Sequence, residues 1–247
     1  MSKTVVIIPS RLKAKRLPNK PLKIINKKEM ILHVYKLAAE SGIGKVLVAT
    51  PDQEIFQLIN KNGGNSFVST ENHNTGTDRV FEAFEKFFSS EPSIIINLQG
   101  DMPNLDPISI RILNDHLQKG LCDVATLASS IKEKNEITNE NIVKVITKKN
   151  IEKTGFSEAI DFERNLNNIE KKFIYHHVGI YGFTKEALIR YVNLQRSKSE
   201  MSRNLEQMRA LDNNMKIHVL YSNTNPLSVD TEADLEEVKK LMEKKNV

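Results

Sequence analysis

In the first half of the chain, short apolar runs alternate with stretches whose apolar residues recur at helical spacing. Few architectures accommodate that pattern. The apolar runs are Val5–Ile8, Lys45–Thr50, Ser66–Ser69 and Ser93–Leu98. Between the first two, Met30–Ala39 has the helical period and stops at Gly42. Gln53–Asn62 follows, with Asp52 as its candidate cap, and ends at Gly63–Gly64. Thr75–Phe88 places Val80, Phe81, Phe84 and Phe87–Phe88 on an apolar side, and Ile108–Leu117 is the fourth helix. Ser93–Leu98 is apolar on both faces, as a central parallel strand must be. Strands separated by helices of about 10–15 residues predict βαβ units and an α/β fold with a parallel sheet and helices on both faces. Such sheets bind ligands beyond the carboxyl ends of their strands.

The second half is less regular. Asp123–Ser130 and Val143–Thr147 read as strands, with polar Lys132–Asn141 between them. Lys148–Lys172 is charged and shows no usable period. A strand His176–Phe183, a helix Lys185–Leu194, a helix Met201–Leu211, a strand Lys216–Leu220 and a last helix Thr231–Lys244 follow. The shift near residue 120 reads as a change of sub-structure inside one domain of 247 residues.

The loop after the first apolar run gathers Arg11, Lys13, Lys15, Arg16 and Lys20 with no acid among them. Pro9, Pro18 and Pro21 restrict it, so it loses less entropy on closing around an anion than a flexible loop would. By itself the loop fits a polyphosphate site or a solvated basic turn equally well. The net charge of +5 does not decide for nucleic acid, because the cations are spread along the chain among 31 acids. No apolar stretch approaches the roughly 18–20 residues of a membrane span, and no signal-peptide core is present. The single Cys122 excludes an intramolecular disulfide and a multi-cysteine metal site, and reads as a small packed residue. A cytoplasmic location is the resulting expectation.

Three further segments carry chemistry-bearing residues. Asn72–Arg79 sets Gly76 between hydroxyls at a helix start, which suits an anion or a base edge, or simple capping by Thr75 or Thr77. Gln99-Gly100-Asp101 follows the fourth strand, where Gly100 permits a turn and Pro103 stops the strand. Asp101 is thereby held beyond the sheet edge, where a hard cation carrying phosphate would bind. Asp230 or Thr231, in Ser228–Leu235, could cap the last helix with Asp234 as a capping-box acid, or Asp230 could be a second carboxylate for the same ion, since Mg²⁺ typically takes only one or two. In His176–Phe183 the strand period puts His177, Gly179, Tyr181 and Phe183 on one face, a shelf for a polar ligand. On the Met201–Leu211 helix, Leu205, Met208 and Leu211 form the apolar side and Glu206 and Gln207 project to its edge. The P-loop, dinucleotide and nucleophile-elbow motifs are all absent.

The ordered set Ile8-Pro9-Ser10-Arg11, Arg16–Leu22, His73–Arg79, Asn97–Asp101, His177–Phe183, Leu205–Arg209 and Val229–Leu235 resembles the 3-deoxy-manno-octulosonate (Kdo) cytidylyltransferase family of lipopolysaccharide biosynthesis. The resemblance covers nearly the whole chain. It implies a Rossmann-like nucleotide-diphospho-sugar transferase fold with a mixed, mostly parallel sheet. About 1–120 and 215–247 would form the nucleotide-binding part, and about 121–214 a smaller part for sugar binding and homodimer formation. It further implies transfer of CMP from CTP to the anomeric hydroxyl of an eight-carbon sugar acid, with release of pyrophosphate. Arg11, Arg16 and Lys20 would bind the triphosphate; Gly76, Thr77, Arg79 and Gln99 would surround the nucleotide. Asp101 and Asp230 would ligate Mg²⁺, and Gln99, His177, Tyr181, Glu206 and Gln207 would hold the sugar acid. Arg11, Lys20, Asp101 and Asp230 would be the catalytic set.

The chain departs from that family's usual pattern at Met102, at Gly155-Phe156-Ser157-Glu158, at His176 and at Arg203. These changes leave the nucleotide end intact. Glu158 would add a negative charge near the sugar, which raises the expectation of an amino-substituted Kdo whose ammonium pairs with Glu158. The rival readings are a cytidylyltransferase for sialic-acid-like acceptors and a catalytically silent sugar- or nucleotide-binding module.

Overall fold

The computed structural model describes residues 3–14, 16–69, 72–89, 91–166 and 173–244. Lys15 of the basic loop lies outside them, as does 167–172 of the charged stretch. The chain divides into two compact units, Met1–Arg111 with Pro226–Val247, and Ile112–Asn225.

The first unit starts with β1 (Thr4–Pro9), every residue of which is buried. A single 3-10 turn (Lys20–Leu22) and the small hairpin β2 (Ile24–Ile25) and β3 (Lys28–Glu29) lead into α1 (Met30–Glu40). Then come β4 (Lys45–Thr50), α2 (Gln53–Lys61), β5 (Ser66–Val68), α3 (Gly76–Phe88) and β6 (Ile94–Asn97). The order β5-β4-β1-β6 is parallel throughout, with Val6 opposite both Val46 and Ile96. From β1 the chain steps outward to β4 and β5, then returns across β1 to β6. Crossovers in opposite directions, both right-handed, put α1 and α2 on one face and α3 on the other. The reversal lies between β1 and β6, so this unit's ligand site belongs at their carboxyl ends. The expected α/β fold is present.

α4 (Pro107–Leu117) carries the chain into the second unit. That unit holds β7 (Val124–Ser129), α5 (Lys134–Thr138), β8 (Lys144–Thr147), α6 (Ile151–Thr154), β9 (Phe156–Glu163) and β10 (Ile174–Thr184). α7 (Lys185–Val192), α8 (Lys198–Arg203), α9 (Gln207–Asp212) and β11 (Ile217–Tyr221) complete it. Here parallel and antiparallel pairs mix: β7 runs parallel to β11 and antiparallel to β10, and β9 is antiparallel to both β11 and β8. β8 pairs also with the start of β10, which closes the ring of strands. α10 (Glu232–Lys244) then returns the chain to the first unit. No helix among the described residues is long and apolar enough to cross a membrane.

Four local expectations need correction. Asp52 makes no side-chain cap for α2; its carboxylate is taken by the loop after β1, as described below. Phe87 is exposed although it shares a helical face with buried Val80 and Phe84, because it lies in the last turn of α3. The helix expected over Met201–Leu211 is two short helices, broken where Asn204 turns left-handed at φ 53°. β9 escaped the sequence pattern because its inward residues before Phe162 are small, Ser157 and Ala159, while Glu158, Asp161 and Glu163 face less buried positions.

Candidate active site

The carboxyl ends of β1 and β6 open onto a cavity of about 360 Å³. Its charged lining residues are Arg11, Lys13, Lys20 and Arg79 against Asp101, four cations to one acid. Ser10, Asn74, Thr75, Gly76, Gln99 and Gly100 complete its polar wall. Such a lining favours a compact polyanion. Gly100 eases the packing: a Cβ there would stand 3.3 Å from the Pro9 carbonyl oxygen, a tighter contact than usual. A side chain at 100 would therefore crowd the two strand ends apart slightly.

The basic loop is built, not merely tethered. The Leu12 backbone N–H donates to Asp52 Oδ2 at 2.7 Å, and the Asn19 N–H donates to the Leu12 carbonyl at 3.2 Å. Leu17 is buried in a small core with Ile25, Met30, Val229, Leu235 and Val238. Asn19, left-handed at φ 55°, turns the chain into Lys20–Leu22. An apolar anchor in the middle of the loop thus fixes the cations on either side of it. This settles the loop as a constructed feature of the cavity wall. Lys13 also lines the cavity.

The two carboxylates meet. The Val229 N–H donates to the Asp101 carbonyl at 2.9 Å, which brings the segment before α10 alongside the end of β6. The start of α10 is satisfied by Thr231 and Asp234: the Asp234 N–H donates to Thr231 Oγ1, and Asp234 Oδ2 accepts from the Asp230 and Thr231 N–H groups. That reciprocal box releases the Asp230 side chain from capping. Lys20 Nζ lies 2.8 Å from Asp101 Oδ2 and 3.1 Å from Asp230 Oδ1, and Arg16 lies 2.8 Å from Asp230 Oδ2. Burial pulls the Lys20 pKa down, but Asp101 and Asp230 outweigh it and the net shift is upward. Lys20 is a fixed cation between two converging carboxylates. All three groups belong to the first unit.

Behind them the polar groups form a chain. Gln99 Nε2 donates to Asn97 Oδ1 at 3.0 Å, and Asn97 Nδ2 donates to Thr77 Oγ1 at 3.0 Å. Thr75 caps α3 in a capping box with Asp78, leaving Gly76 on the cavity wall at the positive end of the helix. Arg79, only 5% exposed, has its Nε buried without a hydrogen-bond partner among the described residues. Burial lowers its pKa, and the neighbouring Arg11 charge lowers it further, against Asp52 and Glu82. The Ser10 hydroxyl is likewise buried and unpartnered. Buried polar groups are rarely left so, and both line this cavity. Ser10 was not singled out from the sequence. Its place immediately after β1 was the available signal.

In the second unit, His177 and Tyr181 are buried and their rings lie 5.5 Å apart, with Phe162 edge-on to His177 at 5.1 Å. The register shifts between Val178 and Tyr181, yet His177, Tyr181 and Phe183 keep one side. His177 Nε2 and Thr126 Oγ1 are 2.9 Å apart; Thr126 Oγ1 donates to the Ile180 carbonyl at 2.7 Å. Burial, with a smaller contribution from the His176 charge, lowers the His177 pKa to about 3, so the ring is neutral near pH 7. Gln207 is buried rather than projecting from a helix edge, and Glu206 accepts the Tyr191 hydroxyl at its carbonyl, 2.9 Å away. Arg209, also buried, makes a two-pronged pair with Glu200 at 2.7 and 2.8 Å and stacks on the Tyr191 ring at 4.6 Å. That framework holds the Glu206–Gln207 turn.

Glu158 is not brought to this group. An irregularity in β9 between Ala159 and Asp161 puts Phe162 beside His177, whereas Glu158 pairs across to His218 of β11 and is ion-paired with Lys148. Arg203 is taken by Asp161 at 2.5 Å, and His176 by Glu136 at 2.7 Å. The charge changes that set this chain apart are thus compensated within the second unit.

A family model described as Cytidylyltransferase matches residues 5–217. The 3-deoxy-manno-octulosonate cytidylyltransferase of Brucella anthropi is 39% identical over 97% of this chain and 96% of its own length. That of Paramagnetospirillum magneticum is 38% identical over 96% and 97%. A solved CMP:2-keto-3-deoxy-manno-octonic acid synthetase complexed with CTP superposes with a TM-score of 0.88 at 34% identity, covering 99% of this chain and all of that one. A cytidylyltransferase from Leptospira borgpetersenii, at 16% identity and a TM-score of 0.64, shares the fold. Sequence and structure together place this chain in the cytidylyltransferase family, among the 3-deoxy-manno-octulosonate cytidylyltransferases.

Proposed function

We propose that the protein transfers CMP from CTP to Kdo and releases pyrophosphate. The observation that carries this reading is the pairing, in one unit, of a cation-lined cavity with two carboxylates converging on Lys20. The relatives' names supply the nucleotide and the acceptor. Arg11, Arg16, Lys20 and the buried Arg79 bind the triphosphate, and the unpartnered Arg79 Nε and Ser10 hydroxyl gain their missing partners from it. Thr77, Asn97 and Gln99 fix the polar wall beside the nucleotide. The anomeric hydroxyl attacks the α-phosphorus; its bond to phosphorus forms as the α–β bridging bond breaks, pyrophosphate departs, and the hydroxyl proton passes to solvent. Positioning and charge neutralisation supply most of the acceleration in such transfers.

Asp101 and Asp230 already share one cation, and two carboxylates with substrate phosphates are the donor set Mg²⁺ prefers. They would hold it. Bound there, it would supply Lewis-acid polarisation of phosphate oxygens and neutralisation of charge. His177, Tyr181, Glu206 and Gln207 are the second unit's candidates for acceptor binding. The carboxylate of Glu158 is committed to Lys148, so no observation favours an amino-substituted acceptor over Kdo itself. Homodimer formation belongs to the same reading, supported by exposed Ile160 and Met201 in the second unit; a monomeric mass in solution light scattering would remove it. The activity is tested by pyrophosphate release across four nucleoside triphosphates and a panel of Kdo, 8-amino-Kdo and a nine-carbon sialic acid. CTP with Kdo is expected to dominate. Release that is indifferent to the sugar, or no release with any pair, would overturn the assignment.

A further inference from the structure

Among the described residues, the second unit holds a cluster of metal-ligating side chains that cytidylyl transfer does not use. His116 lies in the last turn of α4, Cys122 lies between α4 and β7, and His218 lies in β11. One donor atom from each lies within 4.8 Å of the other two, and all three residues are buried. His116 Nε2 and His218 Nδ1 are 2.8 Å apart and hydrogen-bonded, one ring donating to the other, so a cation bound between them would take the place of that shared proton. The Phe156 ring packs edge-on to His116 at 4.6 Å and tilted against His218 at 5.0 Å, covering one side of the pair.

We propose that His116, Cys122 and His218 form a structural site for a borderline-soft divalent cation, Zn²⁺. Two imidazoles and a thiolate are a set that zinc takes readily. Zinc bond lengths of about 2.0–2.1 Å to nitrogen and 2.3 Å to sulfur put neighbouring ligand atoms about 3.4–3.6 Å apart. The histidine nitrogens are closer than that and the whole set spans no more than 4.8 Å, so side-chain rotation of under about 1.5 Å reaches the geometry. The fourth position is left to solvent, since the Glu158 carboxylate on the neighbouring β9 is taken by Lys148. The ion would staple the α4–β7 connection to β11. Those segments are 102 residues apart in sequence, and β7 and β11 already run side by side. Hard Mg²⁺ would not compete for this set.

The test is a titration of chelator-stripped full-length protein with Co²⁺ and then Zn²⁺. One equivalent of Co²⁺ is expected to give tetrahedral visible bands and a thiolate-to-cobalt charge-transfer band, both bleached by Zn²⁺. Zinc at about 100 times its dissociation constant should raise Tm by roughly 5–10 °C. Cys122→Ser should lose the charge-transfer band and the zinc-dependent rise in Tm, and keep wild-type CTP turnover. An octahedral cobalt spectrum without thiolate absorption in the wild type overturns the site, whatever the variant does. So does binding by Cys122→Ser that matches the wild type.

Discussion

Lys20→Met is the most informative single change. It deletes an ammonium 2.8 Å from Asp101 and 3.1 Å from Asp230 and keeps most of the side chain's volume. The Lys20 side chain is 17% exposed, and its partners are 23% and 36% exposed. A fully buried pair broken on one side costs about 3–5 kcal/mol, and an exposed one about 0–1 kcal/mol. For this half-buried triad, with Arg16 still holding Asp230, about 2 kcal/mol is reasonable. In a chain of this length that lowers Tm by roughly 4–8 °C. The two carboxylates are then left facing each other without their shared cation. Added Mg²⁺ should recover more of the variant's Tm than it adds to the wild type, since the ion no longer competes with an ammonium. Turnover should not recover, because the cation for the triphosphate is gone. Thermal melts with and without Mg²⁺, beside kcat/KM for CTP, read all three. A variant as stable as the wild type, indifferent to Mg²⁺ and fully active would refute the reasoning.

Arg79→Met should cut kcat/KM for CTP by roughly 10- to 200-fold, the worth of a charge-assisted contact, while leaving Tm unchanged or higher, because a buried guanidinium with an unsatisfied Nε is removed. Gly100→Ala should lower stability by about 1–2 kcal/mol, read by denaturant melts, because its Cβ would crowd the Pro9 carbonyl; Gly76→Ala, whose nearest neighbour is at 3.4 Å, should keep its stability and lose CTP affinity. His177 sets an acid limit. Its ring is neutral in the folded protein down to about pH 3 and takes a proton near pH 6.5 when unfolded, so the unfolded state binds more protons between those values. Stability should therefore be full above about pH 6.5 and fall by up to about 1.4 kcal/mol per pH unit below it; in His177→Asn melts that slope should be shallower.

The first unit was legible because its strands are continuous apolar runs and its helices carry a clean period. The same regularity exposed Asp101 at the end of a central strand. Asp230 was ambiguous for a definite reason: an acid before a helix can cap it, and only the hydrogen bonds of Thr231 and Asp234 show that the cap is supplied by others. That Asp230 lies beside Asp101 depends on a backbone bond from Val229 to the Asp101 carbonyl, which joins chain segments far apart in sequence. Asp52 was misread in the opposite sense, as a cap when it fastens the basic loop. The second unit was harder. β9 alternates small inward residues with acids, and the break at Asn204 needs a left-handed backbone that no period reveals. Glu158 stood out as a charge reversal, but its partner Lys148 lies ten residues before it, and spacing gave no hint that the two pair. His116, Cys122 and His218 converge only through folding.

The central claim is attack at the α-phosphorus of CTP in a cavity where Asp101 and Asp230 act together. Phosphorus NMR of a reaction with CTP, Kdo and Mg²⁺ tests it most directly, run beside Asp101→Asn and Asp230→Asn. In the wild type a new phosphodiester signal should grow in equal amount with pyrophosphate, and neither signal should appear in the two variants. Formation of CDP with a sugar phosphate, or an undiminished phosphodiester signal in both variants, would contradict it.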